Sequence, residues 1–156
     1  MELLLTGISP SAVRVSFDKE FHPSCLETSI KKEYNTLFDL KKKRSINTEQ
    51  WKLLFPSGGN PKSTSFDVPL MITLLRNLAK LTPPTCGYDH LPLSTDTTPT
   101  ADLARIKYYR NELAHNKTAK IKSEFFATAW DNISEAVTRL GGQHMKEECK
   151  ELRKSV

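Results

Sequence analysis

The stretch "FDVPLMITLLRNLAKL", Phe66 to Leu81, constrains what this chain can fold into more than any other. It is nearly apolar throughout, has an aspartate placed to cap its first turn, and runs directly into the terminator "TPP". A helix that is apolar around most of its circumference has to be enclosed by other elements. Those elements also read as helices. "SPSAVRVSFDKEF" begins with a serine cap at Ser9 and Pro10 at its first helical position, and sets Val13 and Phe17 one turn apart. "PSCLETSIKKEYNTLFDLKKKR" places Leu26, Ile30, Tyr34, Leu37 and Phe38 on one stripe and predicts a single long amphipathic helix. "NTEQWKLLF" opens on an Asn47/Gln50 capping box and stops at Pro56.

Residues 82–99 are rich in Pro, Thr, Asp and Gly and predict a long ordered loop, a common place for function. "TPTADLARIKYYRNELAHN" then starts a new helix, with Thr98 as cap and Pro99 in the first turn. "KSEFFATAWDNISEAVTRL" is amphipathic and is closed by Gly141-Gly142. A charged helix, "QHMKEECKELRKS", ends the chain. Strand-like alternation is absent. The fold class expected is all-α, a bundle of about five to seven helices.

A length of 156 residues is enough for one globular domain with a real core. With 38% hydrophobic and 26% charged residues, the chain reads as neither disordered nor membrane-embedded. "MELLLTGISP" lacks the basic start and the longer apolar run of a secretion signal, and no segment approaches the roughly 18 apolar residues of a membrane span. Three widely spaced cysteines, Cys25, Cys86 and Cys149, fit reduced thiols and a cytoplasmic location. In that setting the triplets "NKT" at 116–118 and "NIS" at 132–134 carry no glycosylation meaning. The net charge of +5 is compatible with an anionic partner such as RNA.

"YYRNELAHN", Tyr108 to Asn116, carries the candidate chemistry. At about 100° per residue, Leu103, Ile106, Tyr109 and Leu113 form a stripe facing the core. Lys107, Tyr108, Asn111 and His115 lie on the other side, with Asn111 and His115 one turn apart on a shared face. Arg110 falls near the border of the apolar stripe, about 140° from His115. One helix presents this trio loosely. Two copies meeting across a two-fold axis bring one chain's arginine beside the other's histidine in a shared basic cleft.

Such a cleft suits RNA cleavage. RNA carries its own nucleophile, the 2′-hydroxyl, beside the scissile phosphate. Cleavage needs a base for that proton, an acid for the departing 5′-oxygen, and cations for the charged intermediate. Histidine serves the proton transfers because it titrates near neutrality. Arginine offers phosphate oxygens a fixed cationic fork. Asparagine can orient the phosphate or the imidazole. Spacing alone is unspecific, since seven arginines and four histidines predict on the order of half a match by chance. A second match, Arg139 to His144, is interrupted by Gly141-Gly142, and a solvated helix face is the competing account of Arg110 to His115.

More than spacing is present. "WKLLFP", "FDVPLMITLLRNL", "GYDHLP" and "ADLARIKYYRNELAH" occur in that order, preceded by "GISPSAVRVSFDKEFHP". Together they resemble the HEPN domain superfamily, in the branch found in the DAZ-interacting zinc-finger ubiquitin ligase and in many invertebrate multidomain proteins. The resemblance implies one HEPN-type helical bundle over residues 1–156, with its core at 5–140 and a charged C-terminal helix at 141–156. It implies a homodimer formed through the motif-bearing helix. It also implies a metal-independent endoribonuclease that uses no cofactor and leaves 2′,3′-cyclic phosphate ends. The family's arginine, polar residue and histidine fall on Arg110, Asn111 and His115. His115 would be general base or acid, Arg110 the phosphate clamp, Asn111 the positioning group, and Lys107 and Tyr108 further RNA contacts. Some relatives in this branch lack the motif. That implies the alternative, a non-catalytic dimerisation or interaction module of a larger innate-immune or ubiquitin-ligase-type protein, with RNA binding without cleavage as a third reading.

Other constellations point elsewhere. "SGGNPKST" has Pro61 where a phosphate-binding loop needs glycine, and no strand precedes it. His22, Cys25, Cys86 and His90 lack the spacing of a known zinc site. "LKKKR" at 40–44 reads as a solvated helix end whose cations complement the helix dipole, with contact to RNA phosphates or a localisation signal as the alternatives. Trp51 and Trp130 read as core residues, and Tyr109 faces the core while Tyr108 lies nearer the cleft.

Overall fold

The computed structural model describes residues 4–115 and 123–154, and their regular structure is entirely helical. A single π-helical turn, Leu4–Ile8, leads into α1, Ser9–Glu20. Because that turn precedes it, Ser9 does not cap a free helix end. Its buried hydroxyl donates instead to the Leu4 carbonyl at 2.8 Å.

The expected long second helix is two helices, α2 (Leu26–Lys32) and α3 (Tyr34–Lys42). The break is at Glu33, with φ −98° and ψ 22°, whose N–H is shared between the Ser29 and Ile30 carbonyls. Leu26, Ile30 and Leu37 remain buried, as the stripe predicts. Tyr34 and Phe38 leave it and instead meet Trp51 on the next helix, at ring-centroid distances of 5.7 and 6.2 Å. A distant aromatic partner thus overrides the local period.

Helix α4, Thr48–Leu54, has the predicted capping box, with Gln50 N–H donating to Asn47 Oδ1 at 2.7 Å and Asn47 N–H to Gln50 Oε1 at 2.9 Å. A 3₁₀ turn, Ser63–Ser65, precedes α5, Val68–Leu78. Asp67 caps α5 by accepting from the Leu70 N–H at 2.8 Å. The Gln50 amide also donates to Asp67, so the two cap residues hold each other. Val68, Leu70, Met71, Ile72, Leu74 and Leu75 are all buried, which makes α5 the enclosed helix its composition predicts. It ends where Ala79 turns extended, ahead of "TPP".

After the non-helical stretch 79–98 come α6 (Pro99–His115), α7 (Ser123–Gly141) and α8 (Gln143–Lys154). Thr98 caps α6 through its hydroxyl, which accepts from the Ala101 N–H at 3.3 Å. Gly142 ends α7 at φ 109°, and its N–H bonds to the Thr138 carbonyl. Gly141 permits a close approach, since a Cβ there would lie 2.1 Å from Met145 Sδ and 3.2 Å from the Ala12 Cα. Helix α8 is charged on its exposed side and buries Met145 and Cys149 on the other.

The described residues thus contain eight α-helices, one more than the seven segments expected, because of the break at Glu33. They form two compact units. One is Phe17–Lys80, built around Phe17, Phe66 and the buried face of α5; the Phe17 and Phe66 rings meet edge-on at 5.8 Å. The other joins the chain up to Ser16 with the chain from Leu81 and buries Val13, Leu103, Ile106, Trp130, Ile133 and Val137. Among the described residues no helix is long and apolar enough to cross a membrane.

Candidate functional site: the C-terminal end of helix α6

Helix α6 divides its polar residues by position. In the first half, Asp102 is fully buried and Arg105 is 4% exposed. The Asp102 carboxylate accepts from Arg105 Nη1 at 2.7 Å and from Arg139 of α7 through Nη2 at 2.7 Å and Nε at 2.9 Å. Burial pushes the Asp102 carboxyl up, against the pull of the Arg139 and Arg105 guanidiniums; the same bonds push Arg139 up. Arg105 also donates to the carbonyls of Leu93, at 2.7 Å, and Asp96.

Arg105 thereby fastens the 79–98 stretch to α6. Thr100 adds a bond from its hydroxyl to the Thr82 carbonyl. Asp96 braces the turn before α6, accepting from the Thr98 hydroxyl and N–H and from the Thr85 N–H. The Thr98 hydroxyl bond, then the Thr98 backbone bond, hold its carboxyl below the ordinary aspartate range. Sequence reasoning missed this network. Its one local signal is the run of apolar neighbours, Ala101, Leu103, Ala104 and Ile106, which leaves Asp102 and Arg105 no exposed face.

The second half carries the predicted residues, and the helical wheel places them correctly. Leu103, Ile106 and Tyr109 are buried and Leu113 is half-buried. The Tyr109 hydroxyl accepts from Asn132 Nδ2 at 2.7 Å, and its ring meets Tyr108 edge-on at 5.2 Å. Lys107 is committed to an ion pair with Asp89. Tyr108 is half-buried. Arg110 is half-buried at the border, with one long contact, 3.4 Å from Nη1 to the Leu5 carbonyl. Asn111 and His115 are exposed on one face a turn apart and have no hydrogen bond or ion pair within the described residues. Asn116, with the "NKT" triplet, lies outside those residues.

The remaining candidates resolve as structure. Arg139 of the second Arg–His match is bound to Asp102, while His144 is exposed on α8. Asn132 of "NIS" serves Tyr109. His22 Nδ1 pairs with the Ser24 hydroxyl at 2.7 Å, and Cys25, Cys86 and Cys149 are unlinked. Among the described residues no three His, Cys, Asp or Glu side chains gather as a metal site. Trp130 is core, as read from sequence; Trp51 is only half-buried, in an aromatic group on the surface.

Chemically, the end of α6 offers a fixed cation, an amide and one imidazole. One chain supplies a single histidine there.

Comparison with known proteins shows the family. The chain is 28% identical over 137 residues to the E3 ubiquitin-protein ligase DZIP3 of Mus musculus, covering 83% of this chain and 11% of that protein. It is 28% identical over 134 residues to DZIP3 of Homo sapiens, with the same coverage. The chain therefore spans about a ninth of the length of these curated relatives, 11% in each case. No solved structure matches it. The sequence pattern of the DZIP3/hRUL138-like HEPN family matches residues 23–156, and the chain belongs to that family.

Proposed function

We propose that this HEPN domain is a metal-independent endoribonuclease module whose site forms when two copies meet through α6. One observation carries the reading. The polar residues Asp102, Arg105 and Lys107 are all held by partners, whereas Asn111 and His115 stand exposed and uncommitted and Arg110 makes only its long contact with Leu5. These three are the positions on which the resemblance puts the family's arginine, polar residue and histidine.

In the proposed reaction His115 of one copy takes the proton from a ribose 2′-hydroxyl. The 2′-oxygen attacks the adjacent phosphorus, the bond to the 5′-oxygen breaks, and the second copy's His115 supplies the proton to that leaving group. Arg110 neutralises the phosphoryl oxygens as charge develops on them, and Asn111 orients phosphate or imidazole. Tyr108 touches a base in this reading. Lys107 contributes only on exchanging Asp89 for phosphate. RNA is the partner, the cytoplasm the setting, and the chain a module of a larger protein.

A second reading has its own support. The relatives are ubiquitin ligases of which this region is 11%, which suits a dimerisation or interaction module without catalysis. Labelled mixed-sequence RNA incubated in EDTA separates the two. Cleavage to 2′,3′-cyclic phosphate ends, lost in His115→Ala and in Arg110→Ala, supports the nuclease. A folded, dimeric wild type that leaves RNA intact supports the assembly module.

A further inference from the structure

Helices α3 and α4, within the Phe17–Lys80 unit, carry an aromatic group at the surface. Tyr34 is 46% and Phe38 39% exposed. Their rings lie nearly parallel, at 10° and 6.1 Å. Trp51 backs both edge-on, and Phe55 packs at 4.6 Å from Trp51 and 5.4 Å from Tyr34.

Cations surround the group. Lys41 Nζ lies 5.0 Å from the Trp51 ring centre and Lys42 Nζ 4.8 Å from that of Phe38. Of the neighbouring charges, Lys43 is paired with Asp39 and Lys52 with Glu49. Lys41, Lys42 and Arg44 have no carboxylate partner among the described residues.

Arg44 supplies an independent sign. It follows α3 at φ 64°, in the left-handed region. The Ser45 N–H reaches back to the Leu40 carbonyl and the Arg44 N–H to the Lys41 carbonyl, a helix-ending motif in which glycine is the usual residue. An arginine there strains the backbone, so the position keeps a cation against its own conformational preference.

We propose that this face is a docking platform for single-stranded RNA. Tyr34 and Phe38 stack on unpaired bases, while Lys41, Lys42 and Arg44 hold neighbouring phosphates. Lysine is depleted from the cores of protein interfaces, whereas aromatic rings interleaved with lysines are what a single-stranded polyanion needs. Bases in a duplex have no free face to offer these rings. The choice of RNA over DNA rests on the reading of α6; the platform itself does not.

The test is fluorescence anisotropy with a labelled mixed-sequence RNA of about twelve nucleotides, long enough for a site of this class. The whole chain carries His115→Ala, so that cleavage plays no part, and EDTA is present throughout. The RNA binds in a salt-sensitive way, and a duplex of the same sequence binds much more weakly. Tyr34→Leu and Phe38→Leu each weaken binding on the order of tenfold. Arg44→Gly raises the melting temperature while weakening binding, and lowers the slope of log affinity against log salt by about one. A retained platform beside an inactive wild type would sink only the α6 reading. The platform itself is overturned if the chain does not bind RNA, if the ring variants bind as well as the parent, or if polyglutamate competes as effectively as RNA. That last result would mark an acidic protein partner.

Discussion

Arg139 holds Asp102 with a two-pronged hydrogen bond, Nε to Oδ2 at 2.9 Å and Nη2 to Oδ1 at 2.7 Å, and so ties α7 to the buried half of α6. Arg105 shares the same carboxylate and passes the connection on to the loop. Removing the shared acid strands a buried cation. Asp102→Ala therefore costs about 3–5 kcal/mol, as for other broken buried pairs. Arg139→Met leaves Asp102 with Arg105 and costs clearly less. Urea unfolding of the two variants gives both numbers, and equal losses would contradict the shared-carboxylate account.

Asp96 makes the turn before α6 sensitive to acid. Its carboxyl is held below the ordinary value of 3.8 by bonds that only the ionised form accepts fully, first from the Thr98 hydroxyl and then from the Thr98 N–H. The unfolded chain binds its proton at the higher pH. The stabilisation is thus fully present above 3.8 and is lost as pH falls through the lower folded value. Hydrogen exchange at the Thr85 and Thr98 amides, corrected for intrinsic rate, should be slow at neutral pH and lose protection below that point. Asp96→Asn should remove the pH dependence.

What the sequence made legible is what is local. The Asn47/Gln50 box, the Asp67 and Thr98 caps and the stop at Gly142 are each decided within four residues, and all are present. The faces of Arg110, Asn111 and His115 followed from helical rotation alone. The placing of Tyr34 and Phe38 involves Trp51, the fate of Asp102 Arg139, and that of Lys107 Asp89, partners on other turns of the fold that no periodicity encodes. Ser9 failed as a cap for a related reason, since the turn ahead of it was invisible to capping rules.

Gly142 is a position where the backbone itself sets the residue. At φ 109° a side chain is strained, and a Cβ would also lie 3.3 Å from the His144 ring. Gly142→Ala should destabilise the chain by about 1–2 kcal/mol through backbone strain. Thermal unfolding checks this. An unchanged melting temperature would mean that the α7–α8 connection has another conformation open to it.

The site proposed on α6 makes a demand that single variants do not test. General acid–base catalysis supplies about 10²–10⁴-fold, so His115→Ala should lose that much activity, and Arg110→Ala should also fall steeply. A lone chain in which Arg110 and His115 act together gives the same result as a dimer that pools them. Mixing distinguishes the two. If one cleavage draws on the His115 of both copies, a dimer of wild type with His115→Ala is inactive. With random exchange in an equal mixture, only about a quarter of the dimers keep both histidines, so activity should fall to about a quarter of that of the same total of wild type, against about half for chains that act alone. The quarter value after joint unfolding and refolding is therefore the expected outcome. An activity of about half, with subunit exchange verified by a size-tagged copy, would rule out the shared site.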